Sequence, residues 1–209
     1  VIQAGAKVLG NNKDGIDFSL EDDYYGDTRF HIPFIAWYQV MNASLALTTM
    51  EVLKDRIPVT MEQLQAGIAN TRWQGRMETI LPGVIVDGAH NEDGVRRFVE
   101  TAERFQKEYP LTLLFSAVND KDYQDMIHTI CSRIKFRKVV TTEVGGYREV
   151  PSAELAEIFC KEGCKDVGNS DNIEEAFHMA HEAKGEDGML FCVGSLYLVG
   201  EIKTLLLKK

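Results

Sequence analysis

The chain has 209 residues, of which 44% are hydrophobic and 26% charged, and a formal net charge of −9. That balance is ordinary for a globular protein with room for one large domain, or one domain and part of another. The acidic excess excludes nucleic-acid binding, which rests on clustered Lys and Arg, and no apolar run is long enough to span a membrane.

The N-terminal segment VIQAGAKVLG has no basic region leading into an apolar one, so it does not read as a signal peptide. It starts in mid-strand style without Met, which reads as a piece of a longer chain. Residues 1–35 alternate short apolar stretches with turn formers such as Gly10-Asn11-Asn12 and Asp14-Gly15. They predict two or three short strands, too polar to build a core alone. A helix is expected over 37–54, its broad buried face formed by Val40, Met41, Leu45, Leu47, Met50, Val52 and Leu53. A second helix, about 61–69, follows Thr60, with Gln63 at the capping-box position.

From residue 72 strand-like and helix-like runs alternate. VIVD (84–87) leads to a helix at 92–107, LTLLFSAV (111–118) to one at 122–134, and KVVTTEV (138–144) to one at 152–162 that Ser152 would cap. A weak strand at 165–168 leads to a helix at 172–184, and MLFCVG (189–194) to a last helix at 195–207. This succession predicts an α/β fold: a Rossmann-like, mostly parallel sheet with helices on both faces. Ligands in such folds bind outside the carboxyl ends of the strands. Two of those ends carry chemistry. Asp87-Gly88-Ala89-His90-Asn91 sets an acid, an imidazole and an amide on one turn. Asn91 suits a helix cap, and Glu92 and Asp93 suit the positive end of the helix dipole. Gly194-Ser195 places a hydroxyl and bare amides at the start of the last helix, an anion-friendly position.

No GxxxxGK[ST] phosphate loop, GxGxxG, GxSxG or HExxH motif occurs. His178 and His181 read as surface residues, and His31 and His128 show no partner in the sequence. Cys131, Cys160, Cys164 and Cys192 lack zinc-ligand spacing and read as reduced thiols of a cytoplasmic protein, with Cys160 and Cys164 on one helix face.

Five segments in order resemble folylpolyglutamate synthase / dihydrofolate synthase of the Mur ligase superfamily: FIAWYQVMNASLAL (34–47), WQGRME (73–78), DGAHN (87–91), NDKDY (119–123) and GSLYLVGE (194–201). The resemblance implies that residues 1–70 are the C-terminal end of a central ATPase domain and 72–209 a C-terminal Mur-ligase-type α/β domain. The phosphate loop and the Mg2+ ligands would then lie in an N-terminal domain outside this sequence. It implies ATP-dependent addition of L-glutamate to folate or dihydropteroate through an acyl phosphate. By resemblance, Asn42 approaches the adenine, Arg76 the ATP phosphates and Asp87 the ribose. His90 serves as the catalytic residue on the glutamate side, and Ser195 with Tyr197 binds the glutamate. Lys121 and Asp122 pin a strand–helix turn. Expected partners are the folate or pteroate substrate, L-glutamate and the absent ATPase domain. The protein itself is expected to be a cytoplasmic monomer, and this piece alone to be inactive. Tyr38 and Ala36 depart from the family's His and Gly, and Glu92 from a frequent Pro. Two alternatives stay open: another Mur-type acid–amino acid ligase, as in peptidoglycan synthesis, and a non-catalytic α/β binding module.

Overall fold

The computed structural model describes residues 5–12, 15–146 and 149–207, and the chain divides into two compact units, Val1–Trp73 and Gln74–Lys209. The boundary lies between Trp73 and Gln74. No described helix is long and apolar enough to cross a membrane.

The first unit is a three-stranded antiparallel sheet, β1 (Ala6–Asn12), β2 (Gly15–Leu20) and β3 (Phe30–Ile32), with helices α1 (Tyr38–Leu53) and α2 (Met61–Ala69). Gly10-Asn11-Asn12 is part of β1 and not the turn expected from its composition. Pairing with β2 overrides local turn preference there, and the register shifts between Val8 and Gly10 as at a bulge. Asp14 of the other expected turn lies outside the described residues. Alternation along β2 sends Ile16, Phe18 and Leu20 into one core with Phe30, Ile32, Val40, Leu47 and Leu64. Tyr25 donates its hydroxyl to the buried Leu47 carbonyl at 2.6 Å, so the loop between β2 and β3 is tied to the middle of α1. The buried face of α1 is narrower than expected: Met41, Leu45 and Val52 are exposed. The helix carries apolar residues around most of its circumference, and periodicity alone does not choose the side the sheet covers. Thr60 and Gln63 form the expected capping box. The Thr60 hydroxyl accepts from the Gln63 amide at 3.3 Å, and the Gln63 side chain accepts from the Thr60 amide at 2.9 Å.

The second unit is a six-stranded sheet in the order β4-β5-β9-β6-β7-β8. Its elements are β4 (Glu78–Leu81), β5 (Val84–Asp87), α3 (Glu92–Phe105), β6 (Leu111–Phe115), α4 (Tyr123–Arg133), β7 (Phe136–Thr141), α5 (Ser152–Lys161), β8 (Val167–Asn169), α6 (Ile173–Lys184), β9 (Met189–Val193) and α7 (Leu196–Leu207). β4 pairs antiparallel with β5, and every other pairing in the sheet is parallel. The edge strand β4 was not foreseen: it is short, half-exposed and follows no apolar run.

Residues alternate between the two faces. Val84, Val86, Leu190 and Cys192 pack with Ala176, Phe177, Leu198 and Ile202 of α6 and α7. The intervening Phe191 meets Phe98 of α3 edge-on at 5.5 Å, and Phe115 meets Phe159 of α5 at 5.3 Å. Burying a ring of this size is worth about 2–3 kcal/mol each. β9 is the last strand in sequence but pairs with both β5 and β6. The chain therefore winds outward through β6, β7 and β8 and returns to the centre, which reverses the strand order and sets a crevice at the carboxyl ends of β5, β9 and β6.

One expected cap is corrected. Pro151 precedes α5, and Ser152 lies inside the helix, buried, its hydroxyl donating to the Asp171 carboxylate at 2.5 Å. Proline already presets the entry to a helix, so the serine is released for a tertiary bond. Cys164 lies beyond α5, past Gly163 in the left-handed region (φ +92°), so it does not share a helix face with Cys160. Its sulfur is instead 3.6 Å from that of Cys131 on α4, and all four cysteines are free thiols. His31 and His128 do have partners, the carboxylates of Asp17 at 3.0 Å and Glu162 at 2.9 Å.

Candidate active site

Three turns of the second unit meet at the carboxyl edge of the sheet. The first precedes β4 and runs through Gly75, Arg76 and Met77. Gly75 (φ +68°) and Met77 (φ +44°) both occupy the left-handed region, and Met77 is the sole non-glycine to do so among the described residues. Such a backbone costs roughly 1 kcal/mol or more for a residue with a side chain, so outside contacts must hold it.

The second turn, after β5, supplies them. The Gly88 amide donates to the Gly75 carbonyl at 2.7 Å, and the Met77 amide donates to Asp87 Oδ2 at 2.8 Å. Asp87 Oδ1 accepts from the Ala89 amide at 2.8 Å, so one carboxylate knits the two turns together. Asp87 is 3% exposed. Burial pushes its carboxyl up to about 6, against the pull of these two amides and of the Arg76 and His90 charges. Gly88 lets the turns close: a Cβ would meet Leu196 Cδ2 at 2.2 Å, so that side chain would have to swing away, with the Gly75 carbonyl oxygen at 3.3 Å.

That contact brings in the third turn, between β9 and α7. Gly194 (φ +111°) lies so close to β6 that a Cβ would sit 2.1 Å from the Ser116 carbonyl oxygen. Ser195 is buried, and its hydroxyl accepts from the Tyr197 amide at 3.1 Å, capping α7. Leu196 and Tyr197 project from the first turn and are more than half exposed.

Arg76, Asp87, His90, Ser195 and Tyr197 are therefore gathered on this edge by contacts among their own turns. Arg76 is half-buried, and its guanidinium forms no ion pair with a described residue. Half-buried His90 has Nδ1 2.7 Å from the Gly88 carbonyl oxygen. A carbonyl only accepts, so Nδ1 carries a proton, and Nε2 is the ring nitrogen left to face a ligand. Asn91 caps α3 by accepting from the Gly94 amide at 2.8 Å, and Asp122 caps α4 in the same way, at 3.2 Å from the Asp125 amide. Asn42 belongs to the first unit: it lies on α1, exposed, with its amide donating to Gln39 at 2.8 Å.

Three further residues belong to the edge. Glu78 accepts from the Gly75 amide at 2.7 Å and pairs with Lys203 of α7 at 2.7 Å. The buried Ser116 hydroxyl, at the end of β6, has no hydrogen-bond partner among the described residues. Glu78 stands in the WQGRME segment, where its spacing from Gly75 was the available signal; Ser116 falls at a strand's carboxyl end that the sequence already marks, and nothing in the sequence marks Lys203. Among the described residues no group of three or more His, Cys, Asp or Glu side chains is placed to hold a metal ion.

The family model of the Mur ligase, glutamate ligase domain, matches residues 75–196. The chain belongs to this family. The matched stretch contains Arg76, Asp87, His90 and Ser195 and leaves Asn42 and Tyr197 outside. The chain is 30% identical over 194 residues to the dihydrofolate synthase/folylpolyglutamate synthase of Bacillus subtilis, covering 89% of this chain and 43% of that protein. Among solved structures, the Mycobacterium tuberculosis folylpolyglutamate synthase complexed with ADP and AMPPCP superposes with a TM-score of 0.76 at 24% identity, over 96% of this chain and 47% of that one. Escherichia coli FolC in complex with ADP gives a TM-score of 0.81 at 17% identity, over 99% of this chain and 47% of that one. The likenesses to solved structures establish the fold. The chain spans about half the length of the relatives it matches.

Proposed function

We propose that this chain is the C-terminal portion of an ATP-dependent ligase that adds L-glutamate to folate or dihydropteroate through an acyl phosphate. The observation that carries the reading is the sheet edge itself, where one carboxylate, Asp87, locks the Arg76 turn to the His90 turn. The names of the relatives, synthases of folylpolyglutamate and dihydrofolate, support the substrate class.

In this reading Arg76 clamps phosphate oxygens, its guanidinium being uncommitted to any described carboxylate. Asp87, besides holding the turns, meets the ribose hydroxyls with its remaining lone pairs. Asn42 offers its amide to the adenine. His90 presents Nε2 to the ammonium of the incoming glutamate and accepts the proton that the amine must lose before it attacks the acyl carbonyl. The new amide forms as the bond from carbonyl carbon to phosphate oxygen breaks and phosphate leaves, taking with it the second proton that the nitrogen sheds. Ser195 and Tyr197, with the amides opening α7, receive the glutamate carboxylate. Mg2+ supplies charge neutralisation on the phosphates, its ligands belonging to the ATPase domain outside this sequence. Residues 1–70 are read as the end of that ATPase domain, and the whole protein as a cytoplasmic monomer.

The test is a pair of substitutions in the full-length protein. Arg76→Ala should raise the KM for ATP or abolish turnover. His90→Ala should weaken glutamate use more than ATP binding. Unchanged ATP kinetics in the first variant, or an isolated ATP defect in the second, would overturn the assignment.

A further inference from the structure

We propose that Glu78 and Lys203 are a positioning pair for Arg76, fixing its backbone turn and tying that turn to the helix that carries Ser195 and Tyr197. The inference rests on the reading of Arg76 as the phosphate-contacting residue.

Arg76 sits between two residues with left-handed backbone, and the turn is pinned at three main-chain atoms. Asp87 takes the Met77 amide and Gly88 gives its amide to the Gly75 carbonyl. The third tie is Glu78, whose Oε2 accepts from the Gly75 amide at 2.7 Å. Glu78 is half-buried, with its side chain 28% exposed. Lys203, 125 positions further along the chain, donates to Oε1 at 2.7 Å and Oε2 at 3.0 Å and sets the carboxylate across the turn. Both groups keep partial access to water, so as a bare ion pair they would add little to stability. Their effect is geometric. A guanidinium meets phosphate oxygens through a rigid fork, and loss of one tie at Gly75 displaces the fork's anchor. Lys203 stands on α7, whose first turn opens at Ser195, so the pair also links the phosphate-side turn to the glutamate-side helix.

The test uses the full-length protein with Glu78→Gln, Lys203→Met, Lys203→Arg and Arg76→Ala. Affinity for a non-hydrolysable ATP analogue is measured by calorimetry, together with KM and kcat for ATP, the thermal midpoint and amide exchange at Gly75. Glu78→Gln should weaken nucleotide affinity and raise KM about tenfold, with kcat changed less than about twofold. Lys203→Met should act in the same direction with a smaller effect, and Lys203→Arg should restore wild-type values. If Arg76→Ala loses the analogue while Glu78→Gln and Lys203→Met bind it as wild type does, the positioning role is refuted and the reading of Arg76 stands. If Arg76→Ala keeps its affinity, the reading of Arg76 fails. Gly75 exchange then decides whether the pair holds the turn: faster in both variants if it does, unchanged if it does not. Should Glu78→Gln fail to fold, the two Lys203 variants decide. An affinity loss that tracks a fall in thermal midpoint and is not rescued by Lys203→Arg would make the pair merely structural.

Discussion

Replacing Asp87 by Asn tests the lock between the two turns, because the substitution keeps the shape and removes the charge. The carboxylate accepts two backbone N–H groups, from Met77 and Ala89. An Asn can accept only one and turns its own N–H2 toward the other donor, a mismatch worth about 1–3 kcal/mol. The second effect depends on pH. Burial disfavours the ionised form and pushes the Asp87 carboxyl up to about 6 in the folded unit, against 3.8 for a free aspartate side chain. That difference of about two units corresponds to roughly 3 kcal/mol at 1.36 kcal/mol per unit. The folded pKa is the higher one, so the contribution is full below the unfolded pKa and is lost as pH rises through about 6. Asp87→Asn has no such titration. The stability advantage of wild type over the variant should therefore grow by about 1.5 kcal/mol between pH 8 and pH 5, half of the total, the rest appearing at lower pH. Both tryptophans, Trp37 and Trp73, belong to the first unit, so tryptophan fluorescence does not isolate the second. Urea titrations read by amide exchange of β5 and β9 do. A pH-independent gap between the two proteins would refute the desolvation argument. Asp87→Ala, which leaves both amides unpaired, should be less stable than Asp87→Asn; the reverse order would refute the bridging role.

Other expectations follow from the same geometry. Gly194→Ala places a Cβ against the Ser116 carbonyl at a positive φ and should cost about 3 kcal/mol or more, seen as a lower urea midpoint for the second unit. Thr60→Ala removes one half of a capping box and should cost about 1 kcal/mol in the first unit alone, leaving exchange in β5 and β9 unchanged. Residues 1–209 on their own should show no glutamate-dependent phosphate release from ATP, and measurable release would contradict the proposed division of labour.

Local chemistry was legible wherever a residue's partner lies within a few positions. The Thr60–Gln63 box, the Asn91 cap and the buried strands at 84–87 and 189–193 all follow from short-range pattern. The same reasoning failed where a distant partner intervened. Ser152 gave up its cap for Asp171, and Gly10–Asn12 became strand because β2 lies beside them. Cys164 left its expected helix face for Cys131.

By itself the sequence determined the strand–helix succession from residue 84 onward, its parallel sheet and the turn that carries Asp87 and His90, because hydrophobic period and capping are local properties of the chain; it did not show the antiparallel edge strand β4. It could not place β9 between β5 and β6, nor show that Gly75, Gly88 and Leu196 meet at one point. It also could not show that Asp87 is buried with both oxygens engaged by backbone amides, or that Lys203 reaches Glu78 across 125 positions. Those are contacts between segments far apart in the chain, decided only when the sheet reverses its strand order and closes the carboxyl edge.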